Sequence, residues 1–160
     1  MRLALVIVVV LAVMPLAGGA AATPAAETLS IEDARGVVTI RGNGIVIGRL
    51  EKGEIQVIDV TPLDQWSPRV NGVPRGKTAW MRGKDVNFYV PGGSYRITVR
   101  GEGFSISARG QGWAVLDGNP DVTGATGTYA VGDLEPTPVP GEAERVVFGS
   151  PLLKATKVVP

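Results

Sequence analysis

From Leu29 to Leu134 the apolar and β-branched residues come in runs of four to eight, broken by Gly, Asn, Asp or Pro. Within the runs they alternate with polar residues. Val38 and Ile40 alternate with Thr39 and Arg41, Ile97 and Val99 with Thr98 and Arg100, and Phe104, Ile106 and Ala108 with Ser105, Ser107 and Arg109. A period of two puts successive side chains on opposite faces of an extended strand, so each run has one face for a core and one for solvent. No window of eleven residues keeps apolar positions at helical spacing. The pattern predicts an all-β domain over 29–134, built as a β-sandwich or partly open barrel. A short β-solenoid is the alternative, since stacked rungs also use short strands with glycines at bends.

The chain resembles itself. An offset of 59 residues places Thr39, Arg41, Gly42, Gly44 and Ile47 on Thr98, Arg100, Gly101, Gly103 and Ile106, five identities in the thirteen positions 38–50. At an offset of 58, Val57, Asp59 and Pro62 fall on Val115, Asp117 and Pro120. Two related units, 36–62 and 94–120, are therefore expected. Gly42-Asn43-Gly44 and Gly101-Glu102-Gly103 are read as the turn of a hairpin in each unit, because glycine tolerates the positive φ that tight hairpin loops need. A 59-residue spacing is long for solenoid rungs, which favours the sandwich.

The connector 63–93 holds Pro68, Pro74 and Pro91 with Trp66, Trp80, Phe88 and Tyr89. It is long for a plain loop. Strands are expected near Lys77–Met81 and Asp85–Val90, with Pro91-Gly92-Gly93 turning into the second unit. Trp80 and Trp113 read as core residues, and Trp66, between prolines, as an exposed one. After Leu134 the segment 135–160 is Pro-rich and extended, and Val146–Phe148 reads as one last edge strand.

The N-terminal segment predicts export. Arg2, the apolar run Leu3–Met14, Pro15, Gly18-Gly19 and Ala20-Ala21-Ala22 have the order of a cleaved signal peptide, 1–22, followed by a short linker, 23–28. A retained anchor is the alternative reading, since Leu3 to Ala22 gives 20 residues, about the length that spans a bilayer. Lys plus Arg number 16 against 15 for Asp plus Glu, and loss of Arg2 leaves the mature chain formally neutral. Such a balance argues against a nucleic-acid partner, which calls for a clear basic excess. No integral span remains after cleavage. The protein is expected to be extracellular, periplasmic or cell-wall associated.

Chemistry is restricted by what the chain lacks. It has no Cys and no His, hence no disulfide, thiolate metal site, thiol nucleophile or Ser-His-Asp triad. No Gly-x-Ser-x-Gly elbow, Ser-x-x-Lys pair, dinucleotide fingerprint or phosphate-binding loop occurs. Asp117-Gly118-Asn119-Pro120-Asp121 resembles the start of a calcium loop, with Asp117, Asn119 and Asp121 as oxygen ligands for Ca2+. Val122 and Thr128 then stand where that pattern needs glycine and glutamate, so no cofactor is expected. Asp59 and Asp117, equivalent in the repeat, are the carboxylate pair a polysaccharide hydrolase would need. With no catalytic motif, the expected activity is non-enzymatic: binding of a cell-envelope polymer or protein partner through an aromatic surface carrying Trp66 and Trp80. The alternatives are the carboxylate-dependent cell-wall hydrolase and a structural envelope protein that self-associates through its strand edges.

Overall fold

The computed structural model describes residues 27–61, 67–118 and 126–149. All regular structure among them is β. The strands are β1 (Glu27–Asp59), β2 (Arg69–Val70), β3 (Thr78–Val90), β4 (Ser94–Gly118), β5 (Thr128–Val131), β6 (Thr137–Pro138) and β7 (Glu144–Phe148). They form one open antiparallel sheet in the order β2-β3-β1-β4-β7, with β5 on β1 and β6 on β5. These are long-range antiparallel pairings, not the stacked rungs of a solenoid. No helix among the described residues is long and apolar enough to cross a membrane. The signal segment 1–22, Trp66, Asn119 and Asp121 lie outside the described residues.

Two very long strands do most of the work, because each is used twice. Residues 37–43 of β1 pair on one side with 94–100 of β4 and on the other with 111–117 of the same strand. Residues 44–59 then pair with 95–110 of β4 on one side and with β3 on the other. A flat sheet could not satisfy both sets, so the strands bend as they cross from one half of the sheet to the other. The bend is marked by a line of glycines in cross-strand register: Gly118, Gly36, Gly101, Gly53 and Gly83. Gly36 has φ +124, and a Cβ there would lie on the Asp117 carbonyl oxygen. Gly101 and Gly53 face one another just as closely, each backbone filling the other's Cβ position.

At this bend the in-out alternation slips by one residue. Buried positions are odd at Leu29 and Ile31 but even at Ala34, Val38 and Ile40; they are odd at Tyr95–Val99 but even from Phe104 onward. Asp33, Gly103 and Asp85 adopt left-handed φ values of 47, 63 and 53 at the slips. Bulges of this kind let a strand turn a corner and still present its apolar side to the same interior. Both halves therefore contribute to a single core. One side supplies Leu116, Val38, Val99, Ile55, Ile40, Ile97 and Val57, and the other supplies Leu29, Ile31, Phe104, Ile106, Val46, Leu50, Val86 and Phe88.

This geometry corrects the local reading of two glycine motifs. The chain does not reverse at Gly42-Asn43-Gly44 or Gly101-Glu102-Gly103; β1 and β4 run straight through them. The glycines supply positive φ, as at Gly44 (138) and Gly103 (63), but for bending a strand that finds its partners elsewhere. The two strand segments foreseen at 77–81 and 85–90 are one strand, β3, slipped at Asp85, and it turns into β4 through residues 91–93. The last edge strand forms as expected, extended to Glu144–Phe148. The segments that the internal repeat aligns lie side by side, with Thr39 directly opposite Thr98 and their hydroxyls 3.4 Å apart.

Candidate functional site

Because each half of the folded sheet turns one face inward, two outer faces remain. The first belongs to the half built from 37–43, 54–59, 78–82, 94–100, 111–118 and β7. Register and alternation arrange its outward side chains in three cross-strand rows. One row runs Asp117, Val37, Arg100, Glu54, Arg82; the next Arg145, Val115, Thr39, Thr98, Gln56, Trp80; the third Val147, Trp113, Arg41, Arg96, Ile58, Thr78.

Trp80 is 56% exposed, although it sits within a strand and flanks the buried Ala79. It does not belong to the core, which corrects the reading of that residue, and it stands on the outer face opposite Gln56. Trp113 is only half buried, and its ring is covered from outside by the Arg145 guanidinium, 4.7 Å from the centroid. Both indoles thus lie on the same face, four strand spacings or about 19 Å apart.

The first row borders a cleft of about 630 Å³ along the glycine line, floored by Gly36, Gly53, Gly101 and Gly118. Its charges are mostly matched. Arg82 pairs with Glu54 at 2.7 Å, Arg100 with the other oxygen of Glu54 at 4.0 Å, and Lys52 with Glu102 at 3.4 Å. Arg35 lies 4.0 Å from Glu102, and its buried Nε has no hydrogen-bond partner. These are exposed pairs, each contributing about 0–1 kcal/mol, so they organise the cleft more than they stabilise the fold.

The second outer face belongs to the half built from 27–35, 44–52, 84–90, 101–110, β2 and β5. It carries Ser30, Ser107, Ile47, Tyr89 and Arg69 in one row. A smaller depression of about 360 Å³ runs beside Ile47 and is lined by Ser30, Ser105 and Ser107. Ile47 is 57% exposed there.

The carboxylates proposed from sequence are not brought together. Asp117 is cross-strand from Val37, whereas Asp59 is cross-strand from Tyr95, itself paired with Gly42. Val37 and Gly42 are five residues apart, which separates the two ends by about 17 Å along the strand alone. A glycosidase pair needs roughly 5–10 Å. Asp59 instead accepts a hydrogen bond from the Thr61 amide at 2.9 Å, an Asx turn closing the strand. Among the described residues no cluster of three carboxylates could hold a metal.

Under the first face lies Tyr95, fully buried, with a hydroxyl that has no hydrogen-bond partner. Burial pushes its pKa well above the ordinary phenol value. It is a packing residue facing Gly42, whose missing side chain leaves room for the hydroxyl. Comparison with protein-family models, with curated proteins and with solved structures finds no match.

Proposed function

We propose that this protein is an exported, non-enzymatic β module that binds a cell-envelope polymer through the outer face bearing Trp80 and Trp113. The observation that carries the reading is Trp80. An indole 56% exposed on a strand already paired on that side of β1 contributes little to the core, yet offers a large, rigid apolar plane. Beside it, Gln56, Thr98 and Thr39 present amide and hydroxyl groups in one straight row. An aromatic plane next to a line of hydrogen-bonding groups suits a sugar polymer, whose ring faces are apolar and whose edges are polar.

Retention on insoluble cell-wall material tests this. The native protein is expected to be retained, and Trp80→Ala, with its fold verified by far-UV circular dichroism, to be retained at least about tenfold less, as for an exposed aromatic anchor. Adding Trp66→Ala tests whether the second tryptophan expected from the sequence contributes to retention. Equal retention of native protein and Trp80→Ala would refute the proposal.

A further inference from the structure

The third row of the same face contains a pairing that folding alone does not favour. Arg41 stands directly opposite Arg96 on the adjacent strand. Cross-strand neighbours of like charge are destabilising, and a side chain of opposite charge normally sits between or beside them. None does here. The positions around the pair are Trp113, Val115, Gln111, Thr39, Asn43, Thr98, Ser94, Ile58, Gln56 and Val60, without one carboxylate among them. Both arginines are exposed, and neither takes part in an ion pair among the described residues. Two cross-strand rows away, four residues along the strand, the opposite arrangement holds, with Arg100 and Arg82 sharing Glu54.

From this we infer that the polymer is acidic: a polysaccharide bearing carboxylates, with a carboxylate received between Arg41 and Arg96. The inference rests on the binding surface proposed above and adds the chemistry of its ligand. Two guanidinium forks side by side match a planar carboxylate, which each can bind through two parallel N–H···O bonds. Hydroxyls bracket the pair: Thr39 and Thr98, 3.4 Å apart, on one side, and Ser94, which accepts a hydrogen bond from the Asn43 amide at 3.2 Å, on the other. They offer further donors to carboxylate and ring oxygens. Trp113, under the Arg145 guanidinium, is directly opposite Arg41, and the exposed Trp80 lies diagonally beyond Ile58 from Arg96, so an open aromatic plane stands on one side of the anion site and an arginine-capped indole on the other. The opposed pair Arg41 and Arg96, with Arg145 beyond Trp113, suits spaced single charges. They are too few to follow a nucleic-acid backbone, which calls for a continuous basic track.

The test is affinity electrophoresis of the purified protein through gels containing polygalacturonate, fully methyl-esterified polygalacturonate, or neither, with anionic phospholipid vesicles assayed by co-sedimentation. Polygalacturonate should retard the protein and its methyl ester should do so at least about tenfold less, because esterification removes the charge and keeps the backbone. Arg41→Gln with Arg96→Gln should abolish the difference. Arg49→Gln with Arg69→Gln, which removes the same charge from the opposite face, should leave it intact. Failure to bind polygalacturonate, equal binding of the ester, equal loss in the Arg49 and Arg69 variant, or preference for vesicles would each overturn the inference. Should cell-wall retention depend on Trp80 but not on Arg41 and Arg96, the polymer is neutral: the inference fails and the binding function stands.

Discussion

The two outer faces of the folded sheet share a backbone and a core but differ in what they display. The face over residues 37–43 and 94–100 carries two indoles, five arginines and a hydroxyl row, whereas the face over 44–52 and 101–110 carries serines, Arg49, Arg69 and Arg109, and two exposed isoleucines, Ile45 and Ile47, but no indole. Both inner surfaces are uniformly aliphatic and aromatic. The core therefore explains why the sheet folds over itself and says nothing of which side meets a ligand. That distinction lies in the outward residues, where stability imposes few constraints.

The largest effect should come from removing what the faces share. Gly36→Ala puts a Cβ onto the Asp117 carbonyl at a φ of +124, in the line where the sheet bends. It is expected to cost about 3 kcal/mol or more, measured by urea denaturation, and to disable both faces together. A Gly36→Ala protein as stable as the native one would show that the bend is not held by close backbone approach.

Trp80→Ala separates the faces. Retention on cell-wall material should fall at least about tenfold while stability shifts by no more than about 1 kcal/mol, because the indole is largely exposed. A variant that unfolds would place Trp80 in the core after all.

Tyr95→Phe probes the interior beneath the binding face. It removes a buried hydroxyl without a partner and is expected to stabilise the protein by about 1 kcal/mol. The pKa of Tyr95 is raised in the folded state, so the folded form holds its proton while the unfolded chain ionises. Its contribution is complete below the unfolded value of about 10 and is lost as pH rises above it. Denaturation midpoints followed from pH 8 upward should thus fall more steeply above about pH 10 for the native protein than for Tyr95→Phe. Parallel curves would place the hydroxyl in contact with water.

The smallest effect is expected on the other face. Ile47→Ser should change stability by no more than about 0.5 kcal/mol and leave cell-wall retention unaltered. Loss of retention there would move the binding surface to the serine-lined depression.

Much of this architecture is legible in the alternation. Val38, Ile40, Ile97, Val99, Phe104, Ile106 and Ala108 are all inward, as a period of two requires. What alternation cannot supply is the partner of each strand. Gly42 and Gly44 carry the signature of a positive-φ position, but a hairpin turn and a bend within a long strand draw on the same residue. The second is realised here because residues 37–43 find two partners far along the chain. Trp80 lies outside the core for a related reason. The slip at Asp85 makes the parity of β3 before Gly83 opposite to its parity after Val86, so the inward side of one part does not extrapolate to the other. The juxtaposition of Arg41 and Arg96 had no local signal at all, since 55 positions separate them and only the strand register makes them neighbours.

The most direct measurement is hydroxyl-radical footprinting of the protein free and bound to insoluble cell-wall material, read by mass spectrometry at the side chains of both faces. The account predicts protection of Trp80 and Trp113 on binding, with Ile45, Ile47 and Tyr89 oxidised as in the free protein. Protection of Ile47 and Tyr89 with Trp80 still reactive would contradict it.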